Sequence, residues 1–87
     1  MEREPKNAET LLYLAGALTS SGRAGEAVPF FERSIAAGAT TMALNGLALT
    51  RLQLGDTTGA AEAFRRSLAL DRAQPEIAEA LRGLGRP

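Results

Sequence analysis

Apolar residues return along this chain at helical spacing. Leu11, Leu14, Ala15 and Leu18 stand at i, i+3, i+4 and i+7, one face of a helix that opens near Asn7 and closes at Ser20-Ser21-Gly22. Ala27, Phe31 and Ile35, at i, i+4 and i+8, mark a second helix that stops at Gly38, with Pro29 near its first turn or just beyond. Leu44, Leu47 and Ala48 predict a third helix, ending at Gly55-Asp56. A fourth carries Ala60, Phe64 and Leu68 up to Asp71, and Asp56, Thr57 and Thr58 offer side-chain oxygens to cap it. A fifth, short helix opens at Pro75-Glu76, buries Ile77, Leu81 and Leu84, and is closed by Gly83, Gly85 and Pro87. Its outer positions Glu76, Glu79 and Arg82 are polar, as suits the end of a stack.

The first two helices and the next two are copies. Leu11, Leu14, Ala15, Gly22, Ala27, Phe31, Arg33, Ser34 and Ala36 recur as Leu44, Leu47, Ala48, Gly55, Ala60, Phe64, Arg66, Ser67 and Ala69, each 33 residues later with no insertion. Shared glycines and phenylalanines in one register point to an internal repeat, not to chance in a Leu- and Ala-rich chain. A helical hairpin cannot bury its own apolar face, so copies stack. Small Ala27 and Ala60 let paired helices approach closely, and Phe31 and Phe64 fill the space between successive hairpins.

These positions resemble the tetratricopeptide repeat, W-x2-L-G-x2-Y, then A-x3-F, then P, over about 34 residues. Leu14 and Leu47 stand at its leucine, Ala15 and Ala48 at its small residue, Ala27 and Ala60 at its alanine, Phe31 and Phe64 at its phenylalanine. Leu11 and Leu44 replace the tryptophan, Leu18 and Arg51 the tyrosine, Ala39 and Arg72 the final proline. The resemblance implies an all-α fold, a right-handed superhelix of αα-hairpins with five helices in one domain. Repeat 1 would span about 8–40, repeat 2 about 41–73 and a capping helix about 75–84. The first helix of each pair would line a concave side that holds a partner's peptide or helix.

Composition narrows the function. Ten basic residues balance ten acidic ones, so no net field draws in nucleic-acid phosphates or an anionic membrane surface. No apolar run is long enough to span a bilayer, and MEREPKNAET lacks the layout of a signal peptide, which gives the expectation of a cytoplasmic protein. Arginine far outnumbers lysine, a bias that fits a bacterial gene of high GC content. With no His and no Cys, a single Lys6 and two aspartates at helix ends, the chain lacks the groups of acid–base, nucleophilic or metal catalysis, so we expect neither an enzyme nor a cofactor. Arg33, Arg65 and Arg66 could touch RNA, but Glu26, Glu32 and Glu62 interleave with them, the signature of a solvated helix surface.

What remains is a protein or peptide partner. The resemblance places Glu9, Leu12, Tyr13 and Gly16 of the first unit, and Met42, Asn45, Leu49 and Gln53 of the second, on the concave face. That face is mildly apolar and nearly uncharged. Asn45 would bond the backbone of an extended peptide, and Leu12, Tyr13 and Leu49 would take its apolar side chains; alternatively, Leu49 and Leu52 pack on neighbouring helices. Two and a half repeats, where about three make a stable stack, leave other readings open: a homo-oligomer assembled through the terminal helices, or a fragment of a larger repeat protein.

Overall fold

The computed structural model describes the backbone of residues 4–85 and the side chains of residues 7–85. The described residues form five helices: α1 (Glu4–Ser20), α2 (Ala24–Ala37), α3 (Thr41–Gln53), α4 (Thr57–Leu70) and α5 (Pro75–Leu84). α1 pairs with α2 and α3 with α4, the two hairpins meet through α2 and α3, and α5 closes the stack against α4. The fold is therefore all-α, in sequential hairpins.

Local chemistry explains the boundaries. Gly22 and Gly55 both adopt left-handed backbone, with φ of 80° and 81°, a conformation that glycine reaches without a Cβ penalty. Around each, the same pair of bonds ends the helix. Arg23 N–H reaches the Leu18 carbonyl at 2.8 Å and Gly22 N–H that of Thr19 at 3.1 Å; 33 residues on, Asp56 reaches Arg51 at 2.8 Å and Gly55 reaches Leu52 at 3.0 Å. Asp56 then caps α4, its carboxylate accepting from Gly59 N–H at 2.9 Å. Thr40 does the same for α3 through Ala43 N–H at 3.1 Å. Pro29 lies inside α2, just beyond its first turn, so the bond its missing N–H forgoes is that of Gly25, an exposed residue open to water. α1 begins three residues earlier than the apolar pattern indicates, because Pro5 is tolerated in a first turn, where N–H groups have no intrahelical partner.

The core is a seam of small and large residues: Ala15, Ala27, Phe31, Ile35, Ala43, Leu44, Leu47, Ala48, Ala60, Ala63 and Phe64. Six of these eleven are alanines, which bring the helix axes close enough for two phenylalanines to account for much of the packed volume. Phe31 is 3% exposed and lies against α3, where a Cβ added to Gly46 would come within 2.6 Å of its ring. It fills the space between the hairpins, as its spacing suggests, and Gly46 is what admits it. Phe64 is fully buried.

One apolar position departs from expectation. Leu14, placed by its spacing toward the partner helix, is 43% exposed, while its copy Leu47 is 3% exposed. The cause is the neighbour, since Leu47 lies on the α3 side that α2 covers, and no described element covers the matching side of α1. Ser34 and Ser67, also copies, are both buried but satisfied differently. Ser34 Oγ donates to the Ala8 carbonyl at 2.8 Å, within its own hairpin, whereas Ser67 bonds to Gln74 at the entrance to α5.

Candidate functional site

α1 and α3 lie side by side, and the residues they turn away from their hairpin partners form one surface. An open groove of about 530 Å³ runs between them, lined by Leu12, Tyr13, Gly16, Ala17 and Ser20 of α1, Met42 and Gly46 of α3, and the edge of Phe31. The groove exists because helix spacing brings Leu12, Gly16 and Ser20 to one flank of α1, while glycine at 16 and 46 removes side chains from both walls. The two glycines have different reasons. Gly46 makes room for Phe31, but a Cβ on Gly16 would meet nothing within 4 Å. A mid-helix glycine costs about 0.5–1 kcal/mol relative to alanine, and at Gly16 no internal packing recovers it.

The structure brings most of the sequence-derived surface residues together. Tyr13 is 78% and Met42 69% exposed, both on the groove wall; Leu12 and Gly16 are half-buried in it. Leu49 is exposed on α3, and it is Leu52 that packs on the core. Glu9, Leu49 and Gln53 are exposed but do not line the groove. Asn45 is spent internally. Its Nδ2 donates to Gln74 Oε1 at 2.9 Å, and Gln74 Nε2 in turn donates to the Asp71 carbonyl at 2.7 Å and the Ser67 carbonyl at 3.1 Å. This chain of amides ties α3 to the end of α4 and the start of α5. Asn45 Oδ1 is buried with no partner among the described residues. Turning that amide over would set two acceptors face to face, so the orientation is fixed by Gln74.

Ala17 and the edge of Phe31 are groove residues that the sequence reading did not single out. The offset contained the signal for Phe31: its copy-to-copy role as the filler between hairpins puts its edge where α1 and α3 diverge.

Charge is distributed unevenly over the surface. From Thr10 to Gly22 the chain has no charged residue, exposed face included. The cleft bounded by α2, α3 and α4 is the opposite, lined by Glu32, Arg51, Glu62 and Arg66. There Arg51 pairs with Glu32 at 2.7 Å and approaches Asp56 at 3.9 Å. Arg33 stacks over Phe30, 5.8 Å from the ring centre. Arg23 holds Glu26 at 2.8 Å, and that hydrogen bond, then the charge of Glu26, raises an arginine pKa that is already far above neutral. Its charge is therefore constant across the working pH range. Among the described residues no three His, Cys, Asp or Glu side chains converge as metal ligands, and no helix is long and apolar enough to cross a membrane.

The surface of the described residues thus offers shape and apolar area. No match is found among the curated proteins. The family model described as Tetratricopeptide repeat matches residues 42–86, which is 45 of the 87 residues and spans α3, α4 and α5. With its helices paired into successive hairpins and its 33-residue copy upstream of that match, the chain belongs to the tetratricopeptide repeat family.

Proposed function

We propose that this is a non-catalytic protein–protein interaction module that holds an uncharged, apolar segment of a partner in the groove between α1 and α3. Tetratricopeptide repeats are generally modules of this kind. In this reading units 8–40 and 41–73 form the two walls, helix 75–84 caps the stack, and the groove side is the concave one. The observation that carries it is the exposure of Tyr13 and Met42 on the groove walls, with Leu49 also exposed on α3 and no charged residue on α1 between Thr10 and Ser20. Exposed large side chains gathered beside a groove, instead of scattered singly, mark a contact surface. Gly16 supports the same reading, since an open glycine in mid-helix lets a partner backbone approach α1 closely.

Peptide display against the folded domain tests it. Selected peptides should be apolar and low in charge, and should bind Met42→Glu or Leu49→Glu at least tenfold more weakly. These two side chains are exposed, so the variants keep their helical circular dichroism. Selection of strongly charged peptides indifferent to both substitutions would move the site to the Glu32–Arg66 cleft.

A further inference from the structure

The internal copy shows which side of α1 lacks a neighbour. On α3, the residues Ala43, Leu47 and Thr50 are buried, Thr50 against Thr19 of the preceding hairpin; their counterparts on α1, Thr10, Leu14 and Ala17, are all exposed. The fourth member of the set is Gly46, which admits the ring of Phe31 so closely that even a Cβ there would lie 2.6 Å away. Its counterpart on α1 is Tyr13. A preceding helix bearing phenylalanine in the pose of Phe31 would collide with it, so this side of α1 is not built to receive another repeat in the register used inside the chain.

We propose that a second copy of the chain covers it, α1 against α1 about a two-fold axis. A two-fold contact requires a surface that complements itself. This one has a large residue, Tyr13, flanked one turn away on either side by the smaller Thr10 and Ala17, so that two antiparallel copies interdigitate. Thr10 to Gly22 holds no charge, so α1 meets its own image without like-charge repulsion along that stretch, and Arg33 of α2 stands at its edge, lining a cleft with Thr10. Among the described residues α5, at the opposite end of the stack, offers no such surface, since it turns Glu76, Glu79 and Arg82 outward and packs its apolar residues Ile77, Leu81 and Leu84 on the core. Association through one end only stops at a dimer. The proposal does not rest on the groove reading, with which it shares Tyr13 and Ala17 but neither Leu14 nor Thr10.

Sedimentation equilibrium from about micromolar to about millimolar protein tests it. Wild type should show a reversible monomer–dimer equilibrium with nothing larger. Leu14→Glu, or Ala17→Glu should the first fail to fold, should be monomeric throughout, while Met42→Glu should dimerise like wild type. Four outcomes would each overturn the proposal: a wild-type monomer at every concentration, a dimer that persists in folded Leu14→Glu, loss of the dimer in Met42→Glu, or assemblies that keep growing.

Discussion

The two hairpins carry nearly the same pattern and bury it differently. α3, flanked by α2 and α4, has five buried residues, Ala43, Leu44, Leu47, Ala48 and Thr50; α1, with α2 behind it and α3 only at its flank, has Ala15 alone among its described side chains. Leu14 and Leu47 hold the same position in the repeat, yet one is 43% and the other 3% exposed. In a stacked array, burial belongs to the interface between units as much as to the unit. What makes α1 poor in core residues also makes it the helix with apolar surface to offer. The family model, matching from residue 42 onward, coincides with the hairpin that has neighbours on both sides.

Several substitutions would break or sharpen this comparison. The largest effect belongs to Phe64→Ala, which empties a fully buried site and should cost about 3–5 kcal/mol in urea unfolding. An unchanged midpoint would remove Phe64 from the core. Next comes the matched pair. Leu47→Ala should lose about 2–4 kcal/mol and Leu14→Ala less than about 1 kcal/mol, because only the former leaves a cavity. Equal losses would mean that α1 is covered in solution by something equivalent to α2, a second copy included, so the pair should be measured at low micromolar protein.

The glycines give opposite signs. Gly46→Ala forces Phe31 aside and should destabilise by about 1–3 kcal/mol from overpacking, less the helix gain. Gly16→Ala meets nothing and should stabilise by up to about 1 kcal/mol while narrowing the groove. Stabilisation in both would show that Phe31 shifts freely. The smallest effect concerns the ion pair that joins the hairpins. Glu32→Gln should cost below about 1 kcal/mol, and less still in high salt, since the Glu32 side chain is half exposed.

Much of this was legible in the residues. Five helices, their ends at Gly22, Gly55 and Gly38, the Asp56 cap and the roles of Phe31 and Gly22 all follow from period, offset and turn chemistry, because each is a local property. What escaped is relational. Leu14 has the spacing of a core residue, and only the absence of a neighbour exposes it. Asn45 has the chemistry of a groove residue, but Gln74, 29 positions away, takes its amide. Thr19 and Thr50 meet at 3.0 Å across α1 and α3, and Thr50 is fully buried, a polar contact that helical period treats as surface. Such pairs are set by how two helices lie against each other, which no single helix encodes.

The claim that function resides in the uncharged α1–α3 face is tested most directly by nuclear magnetic resonance. The measurement is the change in amide chemical shifts of the ¹⁵N-labelled domain on adding a display-selected peptide, at a protein concentration where the free domain is monomeric. The account predicts that the largest shifts fall on Leu12, Tyr13, Gly16, Met42, Gly46 and Leu49, with α5 and the outer face of α4 unmoved. Shifts centred on Glu32, Glu62, Arg65 and Arg66, with α1 silent, would contradict it and assign binding to the charged side of the stack.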